Sequence, residues 1–285
     1  MAKNKADSAT AVLDAPKKPK TGKKTKAKGK SADAKKSKNK PADAKSTPAP
    51  GAGSALEKRV KKAGLKASNY TLLPADSNQA LGIAQFAIDF ISGRIGQPDA
   101  SVLERTNLFH VDSVFCGLSA IALNTNAPRV LRQEALDYAV AASRPGATIF
   151  GSSIKVAPEK AVVANSSAVR EWDSNGTNFG FNPELKHTAG EFGHNDFYPV
   201  ALAAAQMKNL DGAAALRGMI LIDEIRGRLA EVFSLKTYKI DHVVHGAIAS
   251  AATFGAMMGA TAEQIESAIG MVVAHYIPWR AIRAG

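Results

Sequence analysis

The apolar residues follow a helical spacing from about residue 76 almost to the end of the chain. The stretch "SNQALGIAQFAIDFISGRI" predicts a first helix, with Ser77 as its N-cap and an end near Gly93. Its apolar positions recur at intervals of three and four residues and so share one face: Leu81, Ala84, Ile88 and Ile91. The next stretch, "ASVLERTNLFHVDSVFCGLSAIAL", predicts a helix with Ser101 as N-cap and Glu104 at capping-box spacing.

Six further stretches have the same period and predict six more helices. They are "PRVLRQEALDYAVAAS", "APEKAVVANSSAVREWD", "YPVALAAAQMK", "AAALRGMILIDEIRGRLAEVFS", "HGAIASAATFGAMMG" and "TAEQIESAIGMVVAHY". Segments with a strand pattern are scarce. The pattern therefore predicts an all-α fold, with helices rich in Ala and Gly that can approach one another closely.

The charge of the chain divides it into two parts. Residues 1–55 hold 15 Lys and 4 Asp, so they carry +11 of the formal net charge of +12. This segment is rich in Lys, Ala and Pro, and has too few large apolar residues to offset the entropy of ordering it. We predict a disordered basic tail over 1–55, a linker over 56–75 and an all-helical domain over 76–285.

The tail has two interpretations. Blocks such as "KKPKTGKKTKAKGK" could make weak contacts with nucleic acid or an anionic surface. No aromatic residue is interleaved to stack on bases, which favours a solubilising arm instead. A transit peptide usually contains Arg and avoids acids, whereas this tail has four Asp and no Arg.

Deleting residues 1–55 should leave the folding transition of the remaining chain nearly unchanged, because the tail has almost nothing apolar to pack. Any affinity for nucleic acid or anionic lipid should disappear with the tail and should fall steeply as salt is added. Thermal unfolding and binding titrations of the two lengths check this. Salt-insensitive binding by the shortened chain would show that the charge had been located wrongly.

Cysteine content and hydropathy indicate which cellular compartment the protein occupies. Cys116 is the only cysteine, so an intrachain disulfide framework is excluded, and a structural zinc site or an iron–sulfur cluster would need more cysteine ligands than one. Its small apolar neighbours should keep the thiol protonated and inert. No apolar run has the length of a membrane span. We expect a cytoplasmic protein, with the mitochondrial matrix as the alternative in a eukaryote.

Polar residues gather at three helix junctions, which carry five of the six His. The first junction ends in "HTAGEFGHNDFYPV", where Asn195 and Asp196 can cap the helix that starts at Tyr198 and His194 can face a pocket. The unpaired N–H groups of a helix start also suit an anionic substrate. The alternative is that these residues are only caps. The second junction, "YKIDHVVHGAIAS", holds His242 and the third, "HYIPWRAIRAG", holds Arg280 and Arg283.

Other kinds of site find less support in the sequence. His242 and His245 have a spacing that suits one helical face, but no HExxH or facial-triad signature accompanies them. The chain contains no G-x-S-x-G elbow, and its Gly-containing turns do not match a phosphate loop. We therefore predict no metal and no cofactor.

Several motifs together resemble one family. "VDSVFCGLSAIAL", "AVVANSSAVREWDSNGTN", "EFGHNDFYPVALAAAQ", "DEIRGRLAEVF", "DHVVHGAIASAATFGAMMG" and "WRAIRAG" are similar to the 2-methylcitrate dehydratase family (MmgE/PrpD), which also includes cis-aconitate decarboxylases. The resemblance covers roughly residues 75–285. It implies an all-helical core domain, a second α/β domain, cofactor-free lyase chemistry on small tricarboxylates, and a homodimer.

The resemblance also implies roles for particular residues. The acid and threonine of the family's Asp-x-x-x-Thr element fall on Asp173 and Thr177, and its "GHP" histidine falls on His194. The "DHVV" of the dehydratase branch points to His242, and the paired arginines fall on Arg280 and Arg283. Two positions depart from the family pattern: the chain reads "DSNGT", with Gly176 where an acid is common, and "GHND" where "GHPS" is common.

The chemistry of the residues agrees with this resemblance. Dehydration of a hydroxy-tricarboxylate needs a base, an acid and cations that hold the carboxylates. His suits proton transfer near neutral pH, and Arg suits bidentate carboxylate binding. We predict a hydro-lyase with His194 and His242 as acid and base and Asp173 orienting one of them. Thr177, Arg280 and Arg283 would then bind substrate.

Two alternatives stay open at this point. A cis-aconitate-type decarboxylase could use the same sort of site, although "DHVV" favours dehydration. A non-catalytic family member with a polybasic arm is supported by Gly176 and by the lack of a second domain in the sequence given. Because the chain stops at "WRAIRAG", we expect it to be truncated, to self-associate and to be inactive until the second domain is supplied.

Overall fold

The helical periodicity predicts most of the architecture of the computed structural model. The structure describes residues 73–74, 76–178, 193–232, 235–275 and 277–279, all within one compact unit that extends over residues 50–285. The described part contains eight α-helices. They are α1 (Gln79–Ile91), α2 (Ala100–Ala122), α3 (Asn126–Asp137), α4 (Pro158–Arg170), α5 (Tyr198–Met207), α6 (Gly212–Val232), α7 (Val243–Met258) and α8 (Ala262–His275). Two short 3₁₀ helices, His194–Phe197 and Leu235–Tyr238, precede α5 and follow α6.

The N-caps of the first two helices differ from the predicted ones. The N-cap of α1 is Asn78, whose side chain accepts from the Leu81 N–H, so Ser77 is not the cap. The N-cap of α2 is Asp99, which accepts from the N–H groups of Ser101 and Val102. Ser, Asn and Asp satisfy the same unpaired helix donors, and the chain offers two of them close together at each start. The capping-box prediction for Ser101 was therefore wrong.

Helix α3 is shorter than its pattern predicted. The periodic stretch runs to Ser143, but α3 ends at Asp137 because the next residues turn into an antiparallel pairing. The Val140 N–H donates to the carbonyl of Lys155, and Ala139 forms a bridge with Val156. This pairing continues the only sheet of the described residues, the two-stranded hairpin of β1 (Ala147–Thr148) and β2 (Lys155–Val156).

The core is made from small residues that let helices pack closely. Helix α5 is buried almost all round, and its alanines Ala201, Ala204 and Ala205 contact α6, α7 and neighbouring elements in one cluster. A helix that is apolar on every side belongs in a protein interior. The polar residues before α5 are thus attached to the helix that has the largest buried fraction among the described helices.

No single helix of the described residues has the length and hydropathy of a membrane span, and α2 with α3 passes such a test only as a pair bent by 93°.

Candidate functional site

His194 is placed by an abrupt turn of the backbone before α5. Gly193 adopts the left-handed conformation (φ 65°) that favours glycine, and the chain then forms the 3₁₀ helix His194–Phe197. His194 is completely buried. Its ring packs edge-on against Phe109, with the ring centres 4.3 Å apart, and it also meets the ring of Tyr198 edge-on. His194 is among the residues that line the cavity described below.

Asn195 and Asp196 do not cap α5, contrary to the prediction. The 3₁₀ helix leads directly into α5, and the Tyr198 N–H donates to the Asn195 carbonyl, so backbone acceptors serve the helix start. The Asn195 side chain is instead buried, and it donates to the Phe109 carbonyl (2.9 Å) and to Asp112 Oδ2 (2.8 Å). These bonds attach the turn to α2.

Asp196 is held on the opposite side of the turn. Its carboxylate accepts from Asn175 Nδ2 at 2.5 Å and lies 3.5 Å from Arg170 Nε. Burial raises the pKa of this carboxyl to about 6, and Arg170 and Asn175 oppose that rise. Asp196 therefore ties the turn to α4 and its following loop.

The tautomer of His194 follows from one hydrogen bond. The backbone N–H of Thr177 donates to Nδ1 at 3.0 Å. Nδ1 is therefore an acceptor, and the proton of the neutral ring lies on Nε2. Burial, helped by the positive charge of Arg226, lowers the pKa of the ring to about 3. At neutral pH His194 thus presents an N–H donor at Nε2.

Asp223 stands next to that donor. Its Oδ2 lies 3.9 Å from His194 Nε2 and accepts a 2.5 Å hydrogen bond from the Tyr198 hydroxyl. Burial raises the pKa of this carboxyl to about 8, although the Tyr198 hydrogen bond and Arg226 both lower it. A carboxyl with such a pKa is protonated at neutral pH and can act as a proton donor.

Arg226 is a buried cation next to the cluster formed by His194, Tyr198 and Asp223. It lies one helical turn after Asp223 on α6, its side chain is fully buried, and its guanidinium stacks over the ring of Phe197 at 4.8 Å. A buried cation next to His194 and Asp223 disfavours the protonated imidazole and favours the carboxylate. Arg226 therefore lowers the pKa of both His194 and Asp223.

Gly176 has a local structural reason to be glycine. Its φ is +71°, its N–H donates to Asp112 Oδ2 at 2.9 Å, and a Cβ atom there would lie 2.6 Å from His194 Nδ1. A side chain would displace the ring that Thr177 orients. The absence of an acid at this position consequently does not favour the non-catalytic alternative.

Replacing Gly176 with alanine should destabilise the fold by about 2 kcal/mol, since it adds a clash with His194 to the strain of a positive φ. Gly151 is the matched control, because its φ is +69° and a Cβ there would meet nothing within 4 Å. Gly151→Ala should therefore show only the backbone strain, about 1 kcal/mol. Urea unfolding of both variants measures the difference. Equal losses would mean that the space beside His194 is not restricted.

The residues of the predicted Asp-x-x-x-Thr element take different places. Thr177 contacts His194 through its backbone N–H, as described above. Asp173 is exposed and pairs with Arg170. His194 contacts Thr177 and Asp223. The orienting role predicted for Asp173 stays a prediction.

His242 and His245 lie at the start of α7. His242 is the N-cap residue and is 6% exposed, with Nδ1 3.4 Å from Asp241 Oδ1, while His245 is completely buried. Asp241 also accepts from the Val243 N–H at 3.2 Å. Of the described residues, those that line the cavity next to His194 do not include His242, so its role as the partner of His194 stays a prediction.

A cavity of about 660 Å³ opens between α2 and α6, next to His194. Asp223 also lines it. Its charged lining residues are Arg105 from α2 and Glu224, Arg228 and Glu231 from α6. Arg228 Nε lies 2.8 Å from Glu224, and its Nη1 lies 2.9 Å from Glu231. The volume is in the range of small-molecule sites.

Two predicted residues of the substrate site, Arg280 and Arg283, lie outside the described part of the chain. Among the residues that the structure describes, no group of three or more His, Cys, Asp and Glu could hold a metal ion. The Cys116 thiol has its pKa raised by burial and by the charges of Asp112 and Asp196, so it is a poor nucleophile.

Sequence reasoning missed four residues of this cluster: Asp112, Tyr198, Asp223 and Arg226. A signal for two of them was present in "MILIDEIRGR", where Asp223 and Arg226 lie three positions apart directly after an apolar run. Opposite charges at that spacing in a buried stretch indicate a polar site inside the core.

The fold and the cavity together describe an all-helical domain in which His194 and Asp223 lie next to each other at the wall of a cavity. Residues 83–285 match the family model of the MmgE/PrpD N-terminal domain. The chain therefore belongs to the MmgE/PrpD family, a family of dehydratase and lyase type that includes hydro-lyases. The resemblance stated from the motifs is confirmed, and so is the all-α fold.

Proposed function

We propose that this protein is a hydro-lyase of the 2-methylcitrate dehydratase type, which eliminates water from a small hydroxy-tricarboxylate without a cofactor. The observation that carries the proposal is the pairing of His194 and Asp223 at the wall of the 660 Å³ cavity. Elimination of water needs donors for the departing oxygen, and this pair offers two. Membership of a dehydratase and lyase family supports the same reaction class.

Two arginines at the cavity are suited to binding a substrate carboxylate. Arg105 from α2 and Arg228 from α6 both line the cavity, and guanidinium groups bind carboxylates with two parallel hydrogen bonds. Because Glu224 and Glu231 both pair with Arg228, Arg105 is the cation better placed to take a substrate carboxylate. Arg280 and Arg283 remain candidates for the other carboxylates on the family resemblance alone.

In this proposal His194 acts as a hydrogen-bond donor. Its Nδ1 accepts from Thr177, so Nε2–H is directed to an oxygen of the substrate or to Asp223. A neutral histidine donor stabilises negative charge that develops on a substrate oxygen as a proton is removed. His242 remains the candidate base, and Asp173 and Thr177 remain candidates for orienting the site.

The test is to incubate the purified protein with 2-methylcitrate, citrate and cis-aconitate, each with and without a chelator, and to identify products by mass spectrometry. Loss of water from 2-methylcitrate that survives chelation supports the proposal. Release of carbon dioxide from cis-aconitate would instead show that the protein is a decarboxylase. Activity that disappears with chelator and returns with metal would overturn the cofactor-free part.

A further inference from the structure

Asp223 is a carboxyl group on α6, next to a run of apolar residues, at the wall of the cavity. Its apolar neighbours along α6 are Ile220, Leu221, Ile222 and Ile225, all buried in the core, and its charged neighbours are Glu224 and Arg226. The Asp223 side chain is 19% exposed, and that exposure is toward the cavity that it lines. A carboxyl in such surroundings is costly unless it is neutral or paired, which points to a use for it.

Two contacts fix the orientation of this carboxyl. The Tyr198 hydroxyl donates to Oδ2 at 2.5 Å, and the same oxygen lies 3.9 Å from His194 Nε2. Oδ1 is buried and no described residue bonds to it. Because Oδ1 is buried, Oδ2 is the oxygen that the side chain presents to the cavity, where a neutral carboxyl can donate its proton while Oδ2 still accepts from Tyr198.

We propose that Asp223 is the proton donor to the departing hydroxyl group in the dehydration proposed above, with Tyr198 as its positioning residue. This inference rests on the proposed function and extends it to a residue outside the set predicted from the motifs. His194 then holds a substrate oxygen through Nε2–H and does not itself transfer a proton. Tyr198 keeps the Asp223 carboxyl turned so that Oδ2 remains at the cavity wall.

A base removes the proton from the carbon next to a substrate carboxylate, and the electron pair of that C–H bond forms the carbon–carbon double bond. The C–O bond to the hydroxyl group breaks, and its electron pair stays on oxygen. The Asp223 proton joins that oxygen to form water, which leaves Asp223 as a carboxylate. Solvent restores the proton before the next turnover.

His194 is the less suitable proton donor of the two. With Nδ1 accepting from Thr177, loss of the Nε2 proton would produce an imidazolate anion in a buried site. Protonating Nδ1 first would break that hydrogen bond, and the pKa of about 3 shows how strongly burial resists it. A neutral carboxylic acid can give up its proton without either cost.

The charges around Asp223 come from several elements. Tyr198 reaches it from α5 and His194 from the 3₁₀ helix, while Arg226 and Glu224 are its neighbours on α6. Across the cavity stands Arg105 of α2, and Arg228 and Glu231 lie further along α6. Among the described residues, α1 and α7 contribute no side chain to the cavity lining. Burial and the charge of Glu224 raise the pKa of the Asp223 carboxyl. The Tyr198 hydrogen bond and the charge of Arg226 lower it.

The pH profile of kcat/KM for 2-methylcitrate tests the proposal. The wild-type rate should fall as pH rises through about 8, because the acid is lost there. Asp223→Asn should lower the rate by about two to four orders of magnitude and should remove that limb. Asp137→Asn, an exposed acid at the end of α3, is the matched control and should change neither. A variant Asp223→Asn with wild-type rate and an unchanged limb would overturn the proposal.

The Tyr198→Phe variant tests whether Tyr198 positions the Asp223 carboxyl or only contributes to the fold. Since the Tyr198 hydrogen bond lowers the pKa of Asp223, its removal should move the high-pH limb upward while turnover persists. Tyr138→Phe, at a half-exposed tyrosine outside the cavity, should leave the limb in place. A limb that stays at the wild-type pH in Tyr198→Phe would contradict the positioning role.

Unfolding at several pH values supplies a readout that needs no activity. In the unfolded chain Asp223 ionises above its ordinary pKa of 3.8, whereas in the folded protein it keeps its proton until about 8. Wild type should therefore lose stability relative to Asp223→Asn as pH rises between these values. A difference that does not change with pH would overturn the proposal. The expected change together with no turnover of any tricarboxylate would overturn the proposed function and the donor role with it, and would leave the neutral state of Asp223 established.

Discussion

Replacing His194 with asparagine is expected to lower kcat/KM for the tricarboxylate by about two to four orders of magnitude while the fold remains intact. The reason is that the substitution removes a buried ring that lines the cavity and whose Nε2 lies 3.9 Å from Asp223 Oδ2. Steady-state kinetics, with circular dichroism to verify the fold, measure the effect.

A second histidine serves as the control for this substitution. His110 on α2 is half-buried, burial lowers its pKa as it does for His194, and it is not among the residues that line the cavity. His110→Asn should therefore report the general cost of exchanging a partly buried imidazole for an amide, with activity kept. An active enzyme that tolerates His194→Asn would remove His194 from the mechanism.

Replacing Gly246 with alanine should destabilise the protein by about 3 kcal/mol. A Cβ atom there would lie 2.1 Å from the Phe197 ring, and that ring is held between α7 and the guanidinium of Arg226. Because Phe197 is the last residue of the 3₁₀ helix that starts at His194, relief of the clash should also shift the site. Calorimetric unfolding gives the stability, and tricarboxylate binding gives the effect on the site.

Gly270→Ala is the matched control for this prediction. Gly270 also lies inside a helix, α8, but a Cβ atom there would meet nothing within 4 Å. Alanine should therefore stabilise the protein by about 0.5 to 1 kcal/mol, because it lowers the entropy lost on folding. If both variants behaved like Gly270→Ala, α7 and the 3₁₀ helix would not pack as closely as described.

The helices could be predicted because their signal is local. Apolar residues at intervals of three and four, as in "QALGIAQFAIDFI", identify a buried helical face whatever the rest of the fold does. The ends of the helices were predicted less accurately. Asn78 and Asp99 cap where Ser77 and Ser101 were expected, and α3 stops early because Val140 pairs with Lys155, a partner that periodicity does not reveal.

The site was predicted in part for a similar reason. His194 stands in a conspicuous polar cluster and at a family motif, so the sequence points to it. Asp223 lies in the middle of a long helix, where an acid usually faces water. Only the packing of α6 against α5 and the 3₁₀ helix places this carboxyl beside Tyr198 and His194. Contacts between elements distant in sequence determine which polar residues of a helix are functional.

A nitrogen-15 NMR spectrum of the histidine side chains, recorded between pH 5 and 8 with and without 2-methylcitrate, tests the central claim most directly. The account predicts that His194 stays neutral with its proton on Nε2 throughout this range, and that its Nε2 signal moves when the tricarboxylate is added, while the signal of His110 does not. His194→Asn assigns the signal. A His194 ring that titrates near its ordinary pKa of 6.5, or a signal unaffected by a tricarboxylate that binds elsewhere, would contradict the account.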